Sequence, residues 1–130
     1  MPAISNKSIV DKLYIKTGKS YLFVNAPQNY EKTIGTIPSG ALRAKEVASD
    51  IDVIQVFVKS AKELKAQLPK LKKQLKPGGA LWVTYYKGTS KNETDINRDS
   101  IADYASSIGM EGVAIMSVDD DWSALRLKIV

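Results

Sequence analysis

IDVIQVFVKSAKELKAQLPKLKKQLKPGGALWVTYY, residues 51–86, decides the fold. Val53, Ile54, Val56, Phe57 and Val58 are too dense in β-branched and aromatic side chains to suit a helix, and predict a strand over residues 51–58. Ser60 follows, with Glu63 three residues on, the pairing of a capping box. Leu64, Leu68, Leu71 and Leu75 then recur at spacings of four, three and four, an apolar helical stripe whose opposite face is lysine. Pro69 lies within the stripe and predicts a kink or a split near Leu68, because an interior proline costs about 3 kcal/mol if unrelieved. Lys76-Pro77-Gly78-Gly79 stops the helix, and residues 80–85 form the next buried strand.

Upstream, Tyr21-Leu22-Phe23-Val24 reads as a strand buried on both faces, the first parallel strand, over residues 20–25. Ser5 can cap a short helix through about Leu13, with Ile9 and Leu13 on one face and Gly18 soon after. Residues 28–34 suit one or two helical turns ending at Gly35, residues 38–40 a turn, and residues 41–47 a weak strand diluted by Ala and Lys. Downstream, a polar loop over residues 87–96 leads to Asn97, the cap of a helix carrying Ile101, Ala105 and Ile108 and ended by Gly109. Residues 113–118 and 122–129 read as two strands joined by the acidic turn Asp119-Asp120-Asp121. Strands alternating with helices before a closing hairpin imply one three-layer, Rossmann-like α/β domain over residues 1–130. Its sheet is mostly parallel with a C-terminal antiparallel hairpin, and helices cover both faces.

The chain has no Cys and no His, which excludes disulfides, thiolate zinc sites, cysteine nucleophiles and the commonest general base at neutral pH. Of the net charge of +5, residues 59–76 carry +6, from seven lysines against Glu63, so the remainder of the chain is at −1. That lysine face meets three Arg in the whole chain and no interleaved aromatic residue, so a solvated helix face is expected rather than a nucleic-acid surface. Residues 1–19 contain no long apolar run, and a cytoplasmic protein without a membrane span is expected.

In sheets of this kind ligands enter outside the carboxyl ends of the strands, where the strand order reverses. The residues at those ends are Asn25, Ala26 and Pro27, Lys59 and Ser60, Tyr86 and Lys87, and Asp119. A nucleotide or adenosine cofactor needs glycine after the first strand, because the backbone must approach it without an intervening Cβ. Ala26 and Pro27 supply the opposite, and proline has no N–H to donate. The turn reads as a rigid loop packed by Tyr30, with a ligand-binding lip as the competing reading. Lys87, with Ser90, Thr94 and Asp95 in the next loop, is a candidate anion site or Lys–Asp pair, against a solvated loop that merely leads into a helix. Asp119-Asp120-Asp121 would hold a hard cation only if three consecutive carboxylates converged, so a solvated turn and no metal are expected. Trp122 and Arg126 share one side of a strand, where the guanidinium either stacks on the indole or pairs with an acid.

Leu75-Lys76-Pro77-Gly78-Gly79-Ala80-Leu81-Trp82-Val83 resembles a strand-entry segment of S-adenosylmethionine-dependent methyltransferases, and residues 50–58 resemble the strand before their crossover helix. Such a segment marks fold more than activity. Over nearly its whole length the chain also resembles a bacterial family of domains of unknown function, number 3052. The residues that carry this are Gly18, Asn25-Ala26-Pro27 with Tyr30, Leu68-Pro69, Gly79 with Leu81-Trp82-Val83, Lys87, Thr94-Asp95, Gly109, Asp119, and Trp122-Ser123 with Leu125-Arg126. The resemblance implies a small methyltransferase-like fold and no assigned activity. Tyr85-Tyr86-Lys87 stands where the family tends to have Trp-Pro-Lys, and Ala114 where it has a basic residue, which weakens any shared anion site built on that second base.

The expectation is a Rossmann-like binding module with no catalytic residue, cofactor or metal, acting on a small anionic ligand at the strand-end crevice or on a protein partner. The rival is a minimal S-adenosylmethionine- or nucleotide-dependent transferase, with Asp95 or Asp119 as base and Lys87 holding an anion. Chain length counts against the rival, because such enzymes usually need further elements to cover cofactor and substrate. A third reading is a homodimer through the hairpin edge strand or the exposed part of the leucine stripe.

Overall fold

The computed structural model describes residues 8–130. In chain order these form α1 (Ile9–Lys12), β1 (Ser20–Val24), α2 (Tyr30–Thr33), β2 (Leu42–Arg43), β3 (Ile51–Phe57), α3 (Ala61–Gln74), β4 (Leu75–Tyr86), α4 (Arg98–Ser107), β5 (Met110–Ser117) and β6 (Trp122–Ile129). The expected Ser5 cap lies outside the described residues; α1 has Ser8 as its cap, the Oγ accepting from the Asp11 N–H at 3.2 Å. The weak strand expected over residues 41–47 shrinks to two residues, exposed on both, because no second strand lies beyond it.

One six-stranded sheet has the order β2-β1-β3-β4-β6-β5. β2, β1, β3 and β4 run parallel, and β6 is antiparallel to both β4 and β5. The terminal hairpin is therefore present, but its antiparallel strand β6 lies inside the sheet and β5 forms the edge. From β1 the chain steps outward to β2 and returns past β1 to β3, so the strand order reverses between β1 and β3. That gap is where the fold would admit a ligand.

Side-chain alternation divides the core in two. On one face Leu22, Ile54, Val56, Leu81, Val83, Leu125 and Leu127 meet Leu64, Leu68 and Leu71 of α3 and Ile101 and Ala105 of α4. On the other, Tyr21, Val53, Phe57, Trp82, Trp122 and Ala124 meet Val10 of α1, Tyr30 of α2 and the loop residues Leu13, Ile15 and Ile34. At a register irregularity where Ile51 pairs with Leu75 and Val53 with Ala80, these two residues of β3 enter opposite cores.

α3 runs unbroken from Ala61 to Gln74 with Pro69 inside it, contrary to the expected split near Leu68. Leu64, Leu68 and Leu71, on either side of the proline, are all buried in the same core, and that packing keeps both halves in one continuous helix. The capping box is also rearranged. Ser60 Oγ accepts from the Glu63 N–H at 3.2 Å, while Glu63 Oε1 accepts from the N–H of Lys59 rather than that of Ser60, at 2.8 Å. Nor is the lysine face wholly solvated: Lys72 Nζ donates to the Ile108 carbonyl at 2.5 Å, placing a cation at the end of α4. Asn97 and Ser100 form a reciprocal capping box at the start of α4. Among the described residues no helix is long and apolar enough to cross a membrane.

Pro69 cannot donate to the carbonyl one turn before it. Pro69→Ala restores that hydrogen bond and is expected to stabilise the fold by about 1–3 kcal/mol, read as a higher urea midpoint. An unchanged or lower midpoint would show that the half-buried ring packs better than the hydrogen bond it displaces.

Candidate functional site

β1 ends at Val24, and the turn beyond it is shaped by two left-handed residues, Asn25 at φ 59° and Asn29 at φ 66°. Between them Ala26 packs against the aromatic core, and the Pro27 carbonyl accepts from the Tyr30 N–H at 3.0 Å. The turn drops Tyr30 into the gap between β1 and β3. Its ring meets Phe23 of β1 edge-on, with centroids 5.6 Å apart, and Phe57 of β3 at 4.8 Å. Its hydroxyl donates to Gln55 Oε1 at 2.8 Å, and Gln55 Nε2 donates to Thr84 Oγ1 of β4 at 2.9 Å. Gln55 and Thr84 are fully buried, so this chain satisfies polar groups that water cannot reach. Burial, reinforced by the Asp119 carboxylate, pushes the Tyr30 phenol well above the ordinary tyrosine range.

Aromatic packing continues along the rim. Phe57 meets Trp122 edge-on at 5.0 Å, and Trp122 stacks on Tyr86 at 4.2 Å. Asp119 closes the β5–β6 turn: its Oδ1 accepts from the N–H groups of Asp121 at 2.8 Å and Trp122 at 2.9 Å. Lys87 Nζ donates to Ser117 Oγ at 2.6 Å, and its N–H to the Asp121 carbonyl at 2.8 Å. It forms no pair with Asp95. That carboxylate accepts from the Ala61 N–H at 2.7 Å, while Thr94 donates its hydroxyl to the Lys59 carbonyl at 2.8 Å. Thr94, Asp95, Lys59 and Ser60 thus cap α3 and anchor the loop over residues 87–96 to its start. Among the described residues no three acidic side chains gather as metal ligands would.

Arg126 departs from both sequence readings. It pairs across strands with Trp82, four residues from the Trp122–Tyr86 pair and toward the amino ends of the parallel strands. There its guanidinium carbon lies 5.0 Å from the centroid of the Tyr14 ring, and no acid is within ion-pair range of it among the described residues. It belongs to a cleft of about 390 Å³ whose walls include Tyr14, Lys19, Asp52, Gly78, Gly79 and Lys128. Sequence reasoning missed this cleft because it examined only the carboxyl ends. The signal available was the alternation Arg126, Lys128 at the end of a strand otherwise apolar.

A family model described as "Protein of unknown function (DUF3052)" matches residues 26–129. No curated protein matches the chain. Among solved structures, a TehB-like S-adenosylmethionine-dependent methyltransferase from Corynebacterium glutamicum is similar at 9% identity and TM-score 0.62, covering 94% of this chain and 85% of its own. An S-adenosylmethionine-dependent methyltransferase from Aquifex aeolicus is similar at 15% identity and TM-score 0.54, covering 100% and 94%. A putative type 11 methyltransferase from Sulfolobus solfataricus gives 10% identity and TM-score 0.57, covering 93% and 89%. These likenesses show a Rossmann-like, methyltransferase-like fold. They also remove the argument from length, because the matches span most of each methyltransferase chain.

Replacing Tyr30 by Phe leaves Gln55 Oε1 buried without a donor and is expected to cost about 1–3 kcal/mol at neutral pH. The phenol also makes a signed pH prediction. Its folded pKa is raised above the unfolded value of about 10, so its contribution is complete below that pH and is lost as pH rises through the folded value. Unfolding free energies from urea titrations, taken upward from about pH 10, should fall by up to about 1.4 kcal/mol per pH unit more in the native chain than in Tyr30→Phe. Parallel curves for the two proteins would show that Tyr30 is not held as described.

Proposed function

We propose, from the premise that the chain belongs to the DUF3052 family of proteins of unknown function, that it is a non-catalytic Rossmann-like binding module whose strand-order gap is occupied by its own Tyr30. The observation that carries this is Tyr30 buried between Phe23 and Phe57 and bonded to Gln55. A cofactor entering there would have to expel the ring. Re-exposing the roughly 150–250 Å² an aromatic side chain buries costs about 4–6 kcal/mol, or three to four powers of ten in affinity. The turn offers no glycine for close backbone approach, and the chain has no His or Cys. Asp95 and Asp119, the bases of the rival transferase, already accept hydrogen bonds from backbone N–H groups. The residues present therefore do not fit S-adenosylmethionine at this gap.

The expected result is that S-adenosylmethionine at tens of micromolar leaves the melting temperature unchanged. A clear rise, with amide NMR shifts at residues 25–30, overturns the reading.

A second reading is favoured by β5. This eight-residue edge strand exposes Val113, Ala114 and Ile115, and residues 112–118 carry no charge, whereas edges are normally blunted by charge or brevity. Antiparallel pairing of β5 with the β5 of a second copy would cover it. Light scattering is expected to give a dimer that Ile115→Lys converts to a monomer; a native monomer at about 100 µM, well above the Kd of a stable dimer, removes this reading.

A further inference from the structure

The cleft at the amino ends of the parallel strands lies at the opposite end of the sheet from the Tyr30 gap. Its floor comes from close backbone packing. Asp52 Oδ2 accepts from the N–H of Ser20 at 3.0 Å and from its hydroxyl at 3.2 Å, tying the start of β1 to β3. Burial works to raise the Asp52 pKa, but the Ser20 hydrogen bonds and the charges of Lys76 and Lys19 outweigh it, so the carboxylate is held below the usual range. A Cβ at Gly79 would stand 2.8 Å from the Asp52 carbonyl oxygen, so only glycine lets β4 approach β3 here. Gly78, at φ 85°, has nothing within 4 Å of where its Cβ would be, and the space above it is open.

Over this floor lies an aromatic and cationic wall. Trp82 donates its indole N–H to the Leu13 carbonyl at 3.3 Å, fixing the end of α1. The next residue, Tyr14, is left-handed at φ 69°, stacks on Trp82 with centroids 6.4 Å apart and remains 44% exposed. Tyr14 also lies beside Arg126, the cross-strand neighbour of Trp82. Lys19 and Lys128 complete the cationic lining.

Among the described residues neither Arg126 nor Lys19 has an acid within ion-pair range, and residues 1–7 contain no Asp or Glu. Lys128 has only Glu111, at 3.6 Å with both side chains more than half exposed, a weak pair. The one lining carboxylate, Asp52, is engaged by Ser20 and lies 3.7 Å from Lys76. A concave site with three cations against one carboxylate, Asp52, which Lys76 and Lys19 share, favours an anion, and the planar guanidinium of Arg126 suits a phosphate or carboxylate. Tyr14, 44% exposed with the Arg126 guanidinium 5.0 Å and Lys16 Nζ 5.9 Å from its ring centroid, adds an aromatic surface flanked by cations, and about 390 Å³ is the volume of a small-molecule site.

We propose that this cleft binds a phosphorylated small molecule with a flat ring, of mononucleotide size, its phosphate held by Arg126, Lys19 and Lys128 and its ring laid on Tyr14. The proposal rests on the binding-module reading and gives that module its ligand class. It shares no residue with the Tyr30 gap, so failure of this site and failure of the gap reading give different results.

The probes are adenosine monophosphate, adenosine and inorganic phosphate, titrated into the full chain at low salt by calorimetry and amide NMR. Adenosine monophosphate should bind saturably, at least about tenfold tighter than either fragment, with shifts at Lys19, residues 78–80 and residues 126–128. Lys19→Gln with Lys128→Gln, both at exposed positions, should weaken it about tenfold or more, and Tyr14→Ala should reduce it toward the affinity of phosphate. Arg126→Gln should abolish binding while the melting curve stays cooperative. The proposal is overturned by no saturable binding into the millimolar range, by phosphate matching adenosine monophosphate, or by indifference to the double lysine variant. Shifts at residues 25–30 with S-adenosylmethionine would instead overturn the reading of the Tyr30 gap and leave this site untouched.

Discussion

The hydrogen-bond chain from the Tyr30 phenol through Gln55 to Thr84 is the constraint on which one whole side of the sheet depends. The α3 and α4 side is covered by helices of 14 and 10 residues, enough to bury an aliphatic core. Among the described residues the opposite side has two helices of four residues each. So little cover cannot seal a sheet by helix packing alone, and large rings take over: Tyr21, Phe23, Tyr30, Phe57, Trp122 and Tyr86 run in contact along that face. Within them strand alternation places the Gln55 amide, which would cost about 1–3 kcal/mol if left unpaired. Tyr30 and Thr84 relieve that cost. The left-handed Asn25 and Asn29 shape the turn that brings Tyr30 to this position.

A second tie, at the other end of the same strands, uses backbone proximity rather than rings. Ser20 and Asp52 exchange hydrogen bonds in both directions, the Asp52 N–H donating to Ser20 Oγ at 3.0 Å while the carboxylate accepts from Ser20. The irregularity at Ile51 and Val53 allows this, because it frees Asp52 from the regular ladder. Gly79 then fits against the Asp52 carbonyl where any side chain would collide. The Gly-Gly segment that signals a methyltransferase-like fold in the sequence therefore has a local cause: close approach of β4 to β3 at the amino end.

Most of the fold was legible because its elements follow from local rules. The β-branched density of residues 51–58, the leucine stripe of α3 and the Asn97 cap each specify an element without tertiary help. Pro69 was misleading because its local cost is outweighed by packing on both sides of it, which no local rule contains. β2 was overestimated because its extent depends on having a neighbour beyond it. The residues at the candidate gap were mostly nameable, since strand ends can be located, but their partners were not. Gln55 escaped notice as one polar residue in an apolar strand, and Asp95, read either as part of an anion site or as a residue leading into the next helix, accepts from the start of a helix 34 residues earlier in the chain. Contacts across that distance are set by sheet order, which one sequence does not display.

Polar residues gather at the carboxyl ends of strands for two unrelated reasons, ligand binding and the closing of turns and helix ends, and sequence alone does not separate them. Spare hydrogen-bonding and charge capacity does. At the carboxyl rim Thr94, Asp95 and Asp119 are engaged within the chain, and Lys87 donates to Ser117. At the amino rim Arg126 has no acid within ion-pair range among the described residues, Lys19 shares the Ser20-bound Asp52 with Lys76, and Tyr14 leaves 44% of its surface open beside them. A cation held without counter-charge beside apolar walls raises the local potential, and self-repulsion there costs stability that a bound anion would return. That difference in spare capacity distinguishes the two ends, and it is the ground for proposing a ligand opposite the end where the fold class ordinarily carries one.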